Sequence, residues 1–229
     1  MGNTPWKTEA MRLTKYTHSC VRVDDDDRHL VIDPGSFSPD GELTTALDGV
    51  SAVLLTHEHP DHVNSEAIAG TAASRPGLEV WAPASVCTRL EEDGRLRGRC
   101  TSVEAGEAFT AGGFEVRAFG GQHAVIHPTI PVVANVGYLV GGAVYHPGDS
   151  FVVPEEPVDT LLLPLHAPWS KTAEVLDHVI AVRARRVHQI HDGLLNERGH
   201  GAVGGHVERV AARYGGEYVR LDAGESVRL

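Results

Sequence analysis

The run SAVLLT (51–56) is almost continuously apolar, the pattern of a short strand buried on both faces, and it ends against His57. LEVWAP (78–83) reads as another strand, DTLLLPL (159–165) as an apolar one, and RRVHQIH (185–191) as a strand that ends in histidine. Helical patterns lie between them. SEAIAG (65–70) predicts a short capped helix, SVCTRLEED (85–93) a second, KTAEVLDHVIAVRA (171–184) an amphipathic third, and a last helix falls near 206–214. This is a βαβ rhythm.

Two other regions are β-rich on both sides of a turn signal. RLTKYTHSCVRV (12–23) and RHLVID (28–33) are joined by the aspartates Asp24 to Asp27 and predict an antiparallel hairpin. The acidic run reads as a solvated turn, with a calcium site as the weaker alternative. EAFTAGGFEVRAFGG (107–121) and ANVGYLVGGAVYH (134–146) are broken by Gly-Gly turns and predict a second sheet of antiparallel strands. GEYVRL and ESVRL close the chain with β-like ends. The sum is an α/β chain of two β-sheets with helices outside. No repeat, low-complexity linker or composition break divides its 229 residues, so one domain spans 1–229, with a lead at 1–10 that the pattern leaves open to disorder.

Composition narrows the function. Hydrophobic residues are 41% and charged residues 22%, and no apolar stretch approaches the roughly 20 residues that cross a bilayer, which excludes membrane insertion. The opening MGNTPWKTEAM lacks the apolar core of a secretory signal, so a cytoplasmic location is expected. A formal charge of −11 repels polyphosphates, and RLRGR (95–99), the one basic cluster, reads as a solvated loop; long nucleic acid is not an expected partner. Cys20, Cys87 and Cys100 are odd in number and far apart, and read as free buried thiols. The excess is in histidine, at 14 residues, the side chain that most often binds metals.

In LLTHEHPDHVN (54–64), His57, His59, Asp61 and His62 form H-x-H-x-D-H. A tight loop can turn His57 and His59 toward one ion and Asp61 and His62 toward a second, which neither a helix nor a strand would do. Each ion needs further ligands. His123 follows FEVRAFGGQ, Asp149 follows AVYHPG, and His191 ends RVHQIH. A carboxylate has two oxygens and can bridge two cations, and Asp149 is the later carboxylate so framed. Asp33 in IDPG is placed to accept a hydrogen bond from a ligating imidazole.

HEHPDH followed by His123, Asp149 and His191, each behind a β-run, resembles the metallo-β-lactamase superfamily of metal-dependent hydrolases over nearly the whole chain. IDPGSF, EAGEAF and VYHPGDS resemble recurring signatures of that superfamily. THSCVRV and LLLPLHAPWSKTAEVLDHVIAVRARRVHQIH resemble its ascorbate-phosphate lactonase-like branch, with the N-acylphosphatidylethanolamine phospholipase D type further off. The resemblance implies a four-layer αββα sandwich of two mixed sheets. It implies one metal on His57, His59 and His123, a second on Asp61, His62 and His191, and Asp149 between them. Two cations roughly 3.5–4 Å apart would then generate a hydroxide that attacks a small ester, lactone or phosphorylated lactone. Asp61 would also orient that hydroxide. Zinc is the default for such ligands, with manganese or iron also accepted. A small-molecule substrate is implied, and the branch makes a homo-oligomer plausible.

Other residues carry weaker readings. His18, in THSC, is expected beside the metals or the substrate. His166, in LPLHAPW, stands where relatives more often carry glycine, and is a candidate proton donor to the leaving group or a wall of the cleft. His127 and His146 read equally as structural histidines, Asp192 equally as structural, and Trp169 as packing or pocket wall. The rival functions are a phosphodiesterase on a small phosphodiester or nucleotide, an iron-dependent redox enzyme, and a non-catalytic metal-binding protein. His59 stands where the diiron reductases of this fold use glutamate, which argues against the redox reading.

Overall fold

The computed structural model describes residues 11–229, and the lead at 1–10 lies outside them. The first β-rich run is two strands, not one. β1 (Met11–Lys15) and β2 (Val21–Asp25) pair antiparallel around a turn closed by Tyr16 N–H to Cys20 O at 2.8 Å. The turn holds no Gly, Pro or Asn and places His18 at φ 64°, so the pattern gave no break there. The expected hairpin follows, with β3 (Arg28–Ile32) antiparallel to β2. Asp24 in that run bonds Arg12, Arg22 and His29, and Asp25 pairs with Arg28. Two of the four carboxylates are engaged by these pairs, while Asp26 and Asp27 are exposed at the turn, as the solvated-turn reading expects.

Helix α1 (Asp40–Ala46) was not expected; its seven residues offer only Leu43 and Ala46 to the core. Strand β4 (Ala52–Leu54) and helix α2 (Ser65–Ser74) come next, the helix starting where the Asn64 side chain accepts from Ala67 N–H. Strand β5 (Glu79–Ala82) and helix α3 (Ala84–Glu91) follow, and then β6 (Cys100–Ser102), a three-residue edge strand too short and polar to leave a signal. β7 (Ala108–Ala111) and β8 (Phe114–Gly120) meet at Gly112 and Gly113, both at positive φ as a tight hairpin requires. β9 (Val136–Val140), β10 (Val144–His146), β11 (Thr160–Pro164), helix α4 (Thr172–Val182) and β12 (Arg186–Ile190) complete the second half. Helix α5 (Glu197–Arg213) begins well before the expected start, because Gly199, Gly201, Gly204 and Gly205 weaken its local signal. Packing restores it: Val207 and Ala211 are buried, and Gly204 lies under the Tyr218 ring. β13 (Glu217–Tyr218) and β14 (Ser226–Arg228) end the chain.

The strands form two seven-stranded mixed sheets, in the orders β14-β1-β2-β3-β4-β5-β6 and β13-β12-β11-β10-β9-β8-β7. Alternate residues serve different layers. Leu30 and Ile32 face Val116, Tyr138 and Leu162 between the sheets, whereas Val31 and Val53 pack outward on Leu43, Ile68 and Val86 of α1 to α3. Leu161 and Leu163 likewise turn outward onto Val175, Val179 and Val207 of α4 and α5. This is the αββα sandwich, with β4, β9, β10 and β11 buried on both faces. No helix among the described residues is long and apolar enough to cross a membrane.

Two buried features carry consequences. Cys87 of α3 and Cys100 of β6 are disulfide-bonded, with Cα atoms 5.3 Å apart, which corrects the expectation of three free thiols; Cys20 alone is free, and buried. Spacing along the chain could not reveal that α3 folds back beside β6. His178 of α4 is buried without a hydrogen-bond partner on either ring nitrogen, and burial lowers its pKa to about 4. Below the ordinary histidine value of about 6.5, the unfolded chain takes up a proton that the folded chain refuses. Stability from this residue is therefore whole above pH 6.5 and declines as the pH falls toward 4.

Thiol titration in denaturant should give one reactive thiol before reduction and three after it. His178→Leu should remove ~3 kcal/mol of the fall in stability between pH 6.5 and 4, read from urea midpoints of both proteins in chelator.

Candidate metal centre

The residues singled out in the sequence leave different strands at one end of the sandwich. Asp33 follows β3, His57 to His62 follow β4, His123 follows β8, Asp149 follows β10, and His191 follows β12 directly. The crevice outside the carboxyl ends of strands is where open α/β sheets place ligands. Bonds between the halves hold the loops together: Val136 N–H to Thr56 O at 2.9 Å, Tyr138 Oη to Leu55 O at 2.9 Å, and His191 N–H to His18 O at 3.1 Å.

The histidine loop is clasped by IDPGS. Ser36 N–H donates to Pro60 O and Asn64 N–H to Pro34 O. A Cβ added at Gly35 would sit 1.7 Å from the Asp61 carbonyl oxygen, so only glycine admits the loop this closely. Gly148 does the same for Asp149: it lies at φ +61°, and a Cβ there would meet Asn135 Oδ1 at 2.3 Å. That same Asn135 Oδ1 accepts from Asp149 N–H at 2.9 Å, fixing the carboxylate's backbone.

The outer bonds of the rings set where their lone pairs point. Asp33, fully buried, accepts from Thr56 N–H at 2.8 Å, from the Thr56 hydroxyl at 2.6 Å and from His62 Nδ1 at 2.7 Å. Since the Thr56 hydroxyl spends its proton on Asp33, it must accept from His57 Nδ1, 2.9 Å away. His123 Nδ1 donates to Ala124 O at 2.5 Å and His191 Nδ1 to His166 O at 2.8 Å. All four rings therefore turn Nε2 inward, the orientation a metal ligand needs. His59 brings Nδ1 to 3.1 Å from His57 Nε2.

Two donor groups result. His57, His59, His123 and Asp149 converge on one point, and Asp61, His62, His191 and His18 on another. Asp149 lies between them: its Oδ2 is 3.2 Å from His123 Nε2 and 3.0 Å from His191 Nε2, and its Oδ1 is 3.1 Å from His62 Nε2. His62 Nε2, His191 Nε2 and Asp149 Oδ1 are buried and lack a hydrogen bond of acceptable geometry. Buried polar atoms that face one another without bonding are rare unless a further group satisfies them, and a cation fits this donor set.

His18 belongs to the second group by distance but not by chemistry. Gly193 N–H donates to its Nδ1 at 3.1 Å, so Nε2 carries the proton and donates to Asp61 Oδ2 at 3.1 Å. It is a support for Asp61, not a lone-pair donor. Burial would raise the Asp61 pKa, but the His18 hydrogen bond and the His62 charge bring it down to about 2. Burial opposes ionisation of Asp149 too, yet His62, His123 and His191 hold it well below the carboxylate range. Burial keeps His57 neutral; it opposes charge on His62 as well, but Asp149 and Asp33 hold that ring well above its ordinary value. A cation at His62 would displace its inner proton.

Several contributions were not legible in the sequence. The Trp169 indole N–H donates to Asp149 Oδ2 at 2.8 Å, a role beyond the expected wall. Lys15, buried, pairs with Asp192 at 3.0 Å and so anchors the residue after His191. Asp192 itself does not reach the donor groups. His146 bonds Ser19 O and Gly148 N–H, a structural role. The His127 ring bonds Thr129 at the surface. His166 reaches the centre through its carbonyl; its ring is neither in a donor group nor in the cleft wall.

Known proteins are similar to the chain in sequence and in fold. Residues 12–191 match the family model described as the β-lactamase superfamily domain, and the chain belongs to that superfamily. It is a metal-dependent hydrolase of that class. Protein Rv0786c of Mycobacterium tuberculosis is 38% identical over 190 residues, covering 81% of this chain and 85% of the relative. A protein of Methylobacterium nodulans named UPF0173 metal-dependent hydrolase is 27% identical over 195 residues, covering 76% and 79%. Among solved structures, Igni18, a metallo hydrolase of Ignicoccus hospitalis, superposes with a TM-score of 0.70 at 19% identity, covering 95% of this chain and 97% of its own.

Asp33→Ala removes the acceptor that orients His62 and, through Thr56, His57. Metal affinity should fall about 10- to 100-fold, measured by competition with a chromophoric chelator.

Proposed function

We propose that the chain is a dinuclear hydrolase of small esters or lactones. His57, His59 and His123 would hold one cation, Asp61, His62 and His191 a second, with Asp149 shared. The observation that carries this is Asp149, whose carboxylate meets histidines of both donor groups, His123 and His191 through Oδ2 and His62 through Oδ1. Two divalent cations, zinc by default with manganese or iron accepted by the same ligands, would supply Lewis acidity and lower the pKa of a shared water.

The chain's own residues supply the rest. Asp61, ionised and held by His18, faces the cleft and can orient the attacking water and take its proton. Trp169 donates to Asp149 Oδ2 and holds that carboxylate between the two donor groups. The free thiol is no rival nucleophile, because Cys20 is buried and burial pushes its pKa far up. The cleft above the donor groups, of about 300 Å³, suits a small molecule and not a polymer. Glutamate is absent from the donor set, with His59 in the loop instead, which favours hydrolysis over iron redox chemistry.

His59→Ala should lose metal and all hydrolysis, while His166→Ala should keep both, since its carbonyl remains. Metal analysis with a panel of lactones, thioesters and a bis-aryl phosphodiester checks this. Unchanged turnover in His59→Ala, or turnover of the phosphodiester alone, would overturn the reading.

A further inference from the structure

The cleft over the donor groups has walls of one kind. Phe37 comes from the loop after β3, Ile126 from the segment after β8, Pro168 and Trp169 from the loop after β11, and Leu194 from the loop after β12. Phe37 is 42% exposed, Ile126 37% and Leu194 56%, so large apolar side chains from separate segments are held in solvent around one opening. Such a cluster at a cleft marks a binding surface. The polar groups of the lining are His59, Asp61, His123, Asp149 and His191, all at its floor. Among the described residues no lysine or arginine lines it. The fixed charges that the described residues bring to the cleft are the carboxylates Asp61 and Asp149, in a chain of net charge −11.

We infer that the substrate is an uncharged ester or lactone with an apolar acyl group, seated against Phe37, Ile126, Pro168, Trp169 and Leu194. This rests on the ester-hydrolysis reading of the same site and narrows it. A phosphate carried away from the reacting carbonyl would find no cationic side chain in the cleft wall and would face an acidic molecule. The phosphorylated lactone suggested by family resemblance is thereby disfavoured. An acyl chain gains from each methylene it buries, until the cleft is full.

The test uses metal-loaded protein with 4-nitrophenyl esters from acetate to octanoate, and with a butyrate ester bearing a terminal phosphate. kcat/KM should rise with chain length, up to about fourfold per methylene at full burial, then level off. The phosphorylated ester should be turned over more slowly than its neutral parent. The double variant Ile126→Ser, Leu194→Ser should flatten the rise. Independently of turnover, alkyl hydroxamates of the same lengths should bind with affinity that climbs with chain length, followed by calorimetry. Ester turnover with no chain-length dependence, or a preference for the phosphorylated ester, overturns the inference and leaves the hydrolase reading standing. Hydroxamate affinity that climbs while no ester is cleaved supports the apolar subsite and sinks the ester reading. Flat hydroxamate affinity overturns the subsite.

Discussion

A single buried carboxylate organises the centre. Asp33 accepts three hydrogen bonds, from the Thr56 backbone, the Thr56 hydroxyl and His62. The backbone bond fixes where β4 releases the histidine loop. The hydroxyl bond commits the Thr56 proton, and so forces His57 to donate outward and keep its inner nitrogen free. The His62 bond turns Nε2 of that ring inward directly. Two imidazoles, one in each donor group, thus take their orientation from one side chain that touches no part of the cleft. A side chain this polar stays out of solvent only where such bonds replace its hydration.

The sandwich makes that carboxylate possible. Its sheets meet over a layer of Leu30, Ile32, Leu54, Tyr138, Val140 and Leu162, and the loops of the centre leave the ends of these strands. Tyr138 shows the continuity: its ring is core, while its hydroxyl reaches Leu55 O at the root of the histidine loop. Displacement of one sheet against the other would be felt directly at the donor groups, because the bonds that align them are themselves bonds between sheets.

Much of this was legible from the chain. Continuous apolar runs located the strands buried on both faces, and the histidines and carboxylates at their ends were brought together as their positions required. The turn at 16–20 was hidden because its residues carry no breaker and it is built on a histidine at positive φ. Helix α5 was under-read because glycines dilute its propensity and only the packing of Val207 and Ala211 shows its true length. The Cys87–Cys100 bond and the Lys15–Asp192 pair join residues whose proximity exists only after folding. His166 is conspicuous in the sequence for its side chain, and the structure brings its carbonyl to His191 Nδ1.

Three residues of the centre, His18, Asp33 and His191, hold left-handed backbone at φ 64°, 50° and 54° without being glycine. Each such conformation costs on the order of 1 kcal/mol or more, against a total stability of roughly 5–15 kcal/mol for a domain. Relief by glycine would discard the very imidazole or carboxylate that the position exists to present. The protein is accordingly committed to a trade between durability and activity at this end of the sandwich, and any evolutionary or engineered gain in robustness must come from the layers distant from it.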